Sequence, residues 1–182
     1  MRSLFTLWKM SYIIFPKLAE LFKSIFLKPY AINDLSKPWI LSKTDTPYWF
    51  SRSSISILVI IRWWEAYTKK NDPIIWVPDY FCTETLDLIR KSNYKIHFYP
   101  IKKNLYPDWD ICYSEAKKNK PDLFILVHYF GNQSDIESSS AFCDKYNSIF
   151  IEDAAHVIIP TNEIGKRSDF ILNGKEVFTS LT

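Results

Sequence analysis

Leu123-Phe124-Ile125-Leu126-Val127-His128 is an unbroken apolar run that ends in a histidine. Such a run, without polar alternation, is typical of a strand that is buried on both faces, as in a parallel sheet covered by helices. A second buried strand, Ile149-Phe150-Ile151-Glu152-Asp153, follows a segment with helical spacing at 135–146. Strands that alternate with helices predict βαβ units. The sequence therefore predicts an α/β fold with a mostly parallel sheet and helices on both of its faces.

The pattern continues outward from these two strands. Helices are predicted at 51–67, 83–91 and 108–118, and strands at 74–77, 95–101 and 169–172. The chain contains only three glycines. We expect a fold with many strand-to-helix turns to need more glycine than this for its left-handed backbone positions.

Composition excludes several classes of protein. The chain of 182 residues is 47% hydrophobic and 17% aromatic, which excludes a disordered protein. Its net charge of +3 is dispersed and does not indicate a nucleic-acid partner. Cys82, Cys112 and Cys143 form no Cys-x-x-Cys pair, so neither a zinc site nor a disulfide scaffold is predicted. We expect no metal and a cytoplasmic location.

The N-terminal region is predicted to be separate from the sheet domain. Residues 3–28 are apolar but interrupted by charges, and they contain no uncharged window of about 18 residues that could span a membrane. Residues 17–28 have the spacing of an amphipathic helix, for which packing on its own domain or on a partner is favoured over membrane-surface contact. Residues 29–48 resemble an extended, proline-containing connector. The predicted division is an extension at 1–47 and a sheet domain at 48–182.

Polar features follow three of the predicted strands. They are Pro78-Asp79-Tyr80-Phe81, His128-Tyr129-Phe130-Gly131, and Asp153 with His156. In open α/β sheets, ligands bind beyond the carboxyl ends of the strands. The sequence therefore predicts a single ligand site at this edge.

The residues at this edge suit pyridoxal phosphate. A carboxylate such as Asp153 can keep the pyridine nitrogen of this cofactor protonated. Tyr80 or Phe81 can stack on the ring. Ser53 and Ser54 open the first predicted helix, where backbone N–H groups and hydroxyls can bind a phosphate. Alternative interpretations are a helix N-cap for Asp153 and a core histidine for His128.

Three sequence segments carry a resemblance to a known family. They are Val77-Pro78-Asp79-Tyr80-Phe81-Cys82, Val127-His128-Tyr129-Phe130-Gly131 and Ile151-Glu152-Asp153-Ala154-Ala155-His156. In this order and spacing they resemble the large domain of the DegT/DnrJ/EryC1/StrS aminotransferases, over about residues 48–172. The resemblance implies pyridoxal phosphate as the cofactor, a nucleotide-linked keto-sugar and an amino-acid amino donor as substrates, and a homodimer.

The resemblance also implies individual roles for residues. Asp153 would pair with the pyridine nitrogen, and His156 would lie against the ring or its hydroxyl. Ser53 and Ser54 lie near the family's phosphate cradle, although the usual Gly-Thr is absent, and His128 belongs to a matching segment.

The catalytic lysine of the family is the least well matched feature. Lys175 is the one candidate for the lysine that bonds to the cofactor, but it follows Ser168-Asp169-Phe170 too closely. The chain is also about half as long as a family member. The sequence therefore predicts a truncated large domain of doubtful aminotransferase activity. The alternative is a non-catalytic fragment that acts only as an interaction partner or a remnant.

Overall fold

The structure, a computed structural model, describes residues 35–41, 43, 45–173 and the backbone of 176–179. The strands are β1 Thr46–Trp49, β2 Ile74–Pro78, β3 Lys95–Tyr99, β4 Leu123–Val127, β5 Ile149–Asp153, β6 Phe170–Asn173 and β7 Glu176–Thr179. The helices are α1 Ser53–Thr68, α2 Asp87–Lys91, α3 Trp109–Ala116 and α4 Ile136–Tyr146. Short 3-10 turns occur at Lys37–Trp39, Thr83–Leu86 and Tyr129–Gly131.

The strands form one sheet in the order β1-β7-β6-β5-β4-β2-β3. Strands β3, β2, β4, β5 and β6 pair in parallel, which confirms the predicted mostly parallel sheet. Strand β7 pairs antiparallel with both β6 and β1. These two antiparallel strands were not predicted. Strand β1 is short, contains Pro47 and is largely exposed, so it resembles a connector in sequence. Proline is tolerated there because β1 is an edge strand.

Helices cover both faces of the sheet, as predicted. Alternate strand residues such as Ile75, Ile125 and Ile151 pack against α1 and α2 in one apolar cluster. The intervening residues, such as Trp76 and Phe124, pack against α3 and α4 in the other. Side chains alternate along a strand. The polar residues at the strand ends therefore also lie on one face of the sheet or on the other.

The predicted helices and strands agree with the structure to within two residues at most ends. The helix predicted at 83–91 differs, because it begins as a 3-10 turn and becomes α-helical only at Asp87. Trp39 is also buried in the core, so this described part of the predicted connector packs against the sheet domain.

Left-handed backbone positions are occupied mainly by residues other than glycine. Asn93, Asn147 and Asp72 adopt positive φ at turns, where their short polar side chains are tolerated. Asn147 ends α4 in this way at φ 50°. The expectation that more glycine was needed is therefore wrong, because asparagine and aspartate supply several of these positions.

Two sequence predictions lie outside the described residues. They are the amphipathic helix within residues 3–28 and the side chain of Lys175. None of the described helices has the length and apolar character needed to span a bilayer.

Candidate functional site

A pocket of about 380 Å³ opens at the carboxyl ends of β2, β4 and β5, on the face of the sheet that α1 covers. Five of the residues predicted to bind the cofactor line it. They are Ser53, Tyr80, Phe81, Asp153 and His156. The described parts of the chain contain no cluster of three or more His, Cys, Asp or Glu side chains that could hold a metal ion.

Asp153 forms the floor of the pocket at the end of β5. Its Oδ1 accepts a hydrogen bond from the Ala155 N–H at 3.0 Å. Burial raises the pKa of the Asp153 carboxyl, and the Ala155 N–H, His156 and His128 lower it by less. The neighbouring groups therefore do not fully offset the cost of burying the ionised carboxylate. A cationic N–H group in the pocket would stabilise that ionised form.

Tyr80 is the more accessible of the two predicted stacking residues. Its side chain is 58% exposed and stacks on Tyr129 with ring centroids 5.5 Å apart. The Tyr129 hydroxyl donates a hydrogen bond to the Tyr80 carbonyl, which fixes this loop over the pocket. Phe81 is half-buried and packs against the apolar cluster on the α1 face. Tyr80 therefore has the more freely available ring.

His156 lies at the pocket rim, where the backbone of Phe130 orients it. The Phe130 N–H donates to His156 Nδ1 at 3.2 Å, and the two rings stack with centroids 5.7 Å apart. Phe130 adopts φ 55°, an uncommon conformation for a bulky residue, and such outliers concentrate at functional sites. Because Nδ1 accepts a hydrogen bond, the Nε2 of a neutral His156 carries the proton and can donate to a ligand.

The N-terminus of α1 forms another wall of the pocket. Ser53 is the first residue of this helix, and its Oγ lies 3.5 Å from Thr85 Oγ1. Ser54 lines an adjoining groove of about 970 Å³, together with Arg52 and Lys91. The first turn of a helix leaves backbone N–H groups without intrahelical partners, which favours anions. This wall combines hydroxyls, N–H groups and nearby cations.

His128 does not line the pocket. It is fully buried on the other face of the sheet, where its Nε2 lies 2.8 Å from Glu152 Oε2. The Ser134 N–H donates to His128 Nδ1 at 3.0 Å, so Nε2 carries the proton and donates to Glu152. The Gly165 N–H donates to the other Glu152 oxygen at 3.0 Å. The geometry thus gives His128 a structural environment, like the core histidine considered from the sequence.

Tyr129 and Thr85 also line the pocket, although neither was predicted from the sequence to be a site residue. Tyr129 is next to His128 in a segment that was recognised as a strand end, so its position was a usable signal. Thr85 offered no such signal, because its contact with Ser53 joins residues 32 positions apart.

Residues 66–169 match the sequence model of the DegT/DnrJ/EryC1/StrS aminotransferase family. The chain belongs to this family. Since the match covers the segments that contain Tyr80, His128 and Asp153, it confirms the resemblance on which the site was predicted. No protein of curated function is significantly similar to the chain in sequence.

Solved structures share the fold. Helicobacter pylori PseC, an aminotransferase of pseudoaminic acid biosynthesis, superposes with a TM-score of 0.61 at 18% identity, over 82% of this chain and 43% of PseC. For 3-amino-5-hydroxybenzoic acid synthase the TM-score is 0.65 at 10% identity, over 81% of this chain and 41% of that one. Bacillus subtilis NtdA, with bound PMP, gives 0.62 at 16% identity, over 89% of this chain and 40% of NtdA.

These structural relatives show that the fold is that of a pyridoxal-phosphate-dependent aminotransferase of the DegT type. The chain spans only 40–43% of the length of these three structures. It corresponds to part of their α/β domain, which confirms the predicted fold class.

Proposed function

We propose that this chain is the cofactor-binding part of a DegT-type aminotransferase that holds pyridoxal phosphate in the pocket beside Asp153. The observation that carries the proposal is the half-buried Asp153 carboxylate, which faces a pocket with too little compensating positive charge. A protonated pyridine nitrogen would supply that charge. The pocket also offers an aromatic ring at Tyr80 and a helix N-terminus at Ser53, so its residues fit the cofactor.

Pyridoxal phosphate, when bound, supplies an electron sink for reactions at the α-carbon of an amino acid. The role of Asp153 is to hold the proton on the pyridine nitrogen through a charge-assisted hydrogen bond. The Ala155 N–H orients the carboxylate through the other hydrogen bond. Tyr80 would exclude water from one side of the ring. His156, oriented by Phe130, would donate from Nε2 to an oxygen of the ring or of the substrate.

The serine-rich start of α1 would receive the phosphate group. Ser53 and Ser54 lie near the family's phosphate cradle, whose usual Gly-Thr is absent from this chain, and they provide hydroxyl donors at the N-terminal end of a 16-residue helix. Arg52 precedes them and lies with Ser54 in the adjoining groove. Hydroxyls, backbone N–H groups and a guanidinium together make a suitable anion site.

In this proposal the substrates are a nucleotide-linked keto-sugar and an amino-acid amino donor. The product would be used in amino-sugar formation. PseC supports this substrate class, because it is an aminotransferase of pseudoaminic acid biosynthesis with the same fold. We propose residues 48–182 as part of the large domain and a homodimer as the assembly. The non-catalytic alternative remains, since Lys175 lies outside the described residues.

Covalent mapping of the cofactor distinguishes the proposed aminotransferase from the non-catalytic alternative. The full chain is incubated with pyridoxal phosphate, reduced with borohydride to fix the cofactor on its lysine, and digested for peptide mass spectrometry. We expect one labelled site, at Lys175, whose loss in a Lys175→Ala variant would establish its role. Labelling scattered over surface lysines in proportion to exposure would instead favour the non-catalytic alternative.

A further inference from the structure

The helix α1 is apolar on two of its sides. Ile57, Ile61 and Trp64 are buried in the apolar cluster between this helix and the sheet. On the outward side, residues at helical spacing form a second stripe, which consists of Ile55, Val59, Trp63, Ala66 and Tyr67. Val59 is 43% exposed and Tyr67 is 72% exposed. Because a surface helix normally has charged and polar residues on its outer side, this outward stripe indicates a docking surface.

The fold holds the two aromatic residues of the outward stripe in place. Trp63 stacks on Tyr67 with ring centroids 5.2 Å apart and an interplanar angle of 11°. An edge contact with Phe170 of β6, also at 5.2 Å, anchors Trp63 to the sheet. Since both rings are already ordered, covering them costs little side-chain entropy. Tryptophan and tyrosine are also the residues that are enriched at the boundary between lipid headgroups and acyl chains.

The charged residues along α1 and at its two ends are mainly basic. Arg52, Arg62, Lys69 and Lys70 are exposed, whereas the single acid between them, Glu65, has a side chain only 14% exposed. Glu65 accepts a hydrogen bond from Arg62 at 3.0 Å, so the other three cations give this face its net charge. The exposed charges on the adjoining turn and on α2 balance one another, and they are Glu84, Asp87, Arg90 and Lys91. Cations around an aromatic, apolar stripe are complementary to negative headgroups above an apolar interior.

We propose that the outward stripe of α1 docks on an anionic lipid surface, with Tyr67 at headgroup level and with Lys69 and Lys70 against the lipid phosphates. A second copy of the chain suits the stripe less well, because an antiparallel pair of α1 helices would bring these lysines near Arg52 of the other copy. A nucleic acid offers no apolar interior for Val59. The inference goes beyond the proposed function and does not depend on cofactor binding.

Vesicle pelleting of the full chain tests the docking surface. The probes are vesicles of equal parts phosphatidylglycerol and phosphatidylcholine, and the control vesicles contain phosphatidylcholine alone. We expect the natural chain to pellet with the anionic vesicles, less strongly as the ionic strength rises, and to stay in solution with the control vesicles. The inference is overturned if the chain does not bind the anionic vesicles, or if it binds both kinds equally.

Two double variants locate the binding on α1. Lys69→Gln combined with Lys70→Gln removes two cations, so we expect about 30-fold weaker binding to the anionic vesicles. The matched control is Lys117→Gln combined with Lys118→Gln. These exposed lysines follow α3, which covers the opposite face of the sheet, so this variant should bind like the natural chain. Equal binding by the two double variants would contradict the inference, as it would if residues 3–28 carried the binding.

A single variant tests the aromatic part of the stripe. Tyr67→Ser removes a ring that is largely exposed, so the melting temperature should hardly change, while binding to the anionic vesicles should fall about tenfold. Unchanged binding would overturn the role of the stripe. Light scattering on the same samples identifies the competing occupant. A natural chain that is dimeric, becomes monomeric in Tyr67→Ser and does not bind vesicles would assign the stripe to a second copy and overturn the inference.

Discussion

His128 donates from Nε2 to Glu152 Oε2 across 2.8 Å, and both side chains are fully buried. The pair lies on the face of the sheet opposite Asp153, although Glu152 and Asp153 are neighbours in sequence. It ties the loop after β4 to the segment before β6, because Ser134 and Gly165 donate their N–H groups to the two partners. The buried Glu152 carboxylate thus accepts hydrogen bonds from His128 and Gly165. These bonds stabilise the end of β5 on which Asp153 lies.

Glu152→Gln should destabilise the fold by about 1–3 kcal/mol. The amide of glutamine has one acceptor, so it can serve either the Gly165 N–H or His128 Nε2–H, and its NH₂ group then faces the remaining donor. Urea unfolding at neutral pH measures the change. Glu163→Gln is the control, because Glu163 pairs with Lys166 on the surface and its loss should change stability by less than about 0.5 kcal/mol. Similar losses in the two variants would show that the buried pair has no special role.

Asp153→Asn should stabilise the cofactor-free protein more at pH 7 than at pH 4. Burial raises the folded-state pKa of Asp153 above its unfolded value of 3.8, so the native state holds more protons than the unfolded chain between these values. The carboxyl therefore lowers the free energy of unfolding as pH rises through that window, and asparagine does not. Melting temperatures of both proteins from pH 4 to pH 8 measure the effect. A difference that does not change with pH would refute the assignment of the raised pKa to Asp153.

Gly165→Ala should destabilise the protein by about 3 kcal/mol, through left-handed backbone strain and overpacking. Gly165 has φ +84°, and a Cβ there would approach Ile171 Cδ1 to 2.2 Å and Leu41 Cδ1 to 2.9 Å. Gly131→Ala is the matched variant, since φ is +80° but the nearest atom, the His156 carbonyl oxygen, is 3.4 Å away. It should lose only about 1–2 kcal/mol. Equal losses in denaturant unfolding would mean that the close packing at Gly165 is not rigid.

The sequence predicted the parallel strands and the edge of the sheet where the site lies. Unbroken apolar runs such as Leu123–Val127 identify buried strands, and polar residues after them necessarily meet at one edge. The antiparallel strand Thr46–Trp49 was missed because an exposed edge strand carries little hydrophobic signal. The alternation of side chains along a strand is also enough to place Glu152 and Asp153 on opposite faces of the sheet.

Contacts between distant segments could not be predicted in this way. The pairing of His128 with Glu152 depends on the register of β4 against β5, which places Leu126 opposite Glu152. The same limit applies to Ser134, whose hydroxyl looks ordinary in sequence and is orphaned only in the folded chain. Packing of loops therefore determines which polar residues face the site.

Binding of pyridoxamine phosphate, measured by isothermal titration calorimetry, tests the central claim most directly, because this form of the cofactor does not bond to lysines. The full chain should bind one equivalent, and Asp153→Asn should bind about tenfold or more weakly, since it loses a charge-assisted hydrogen bond. Asp169→Asn is the control, because Asp169 is a carboxyl with a raised pKa outside the pocket, and it should bind like the natural chain. No binding by the natural chain, or equal binding by Asp153→Asn, would contradict the account.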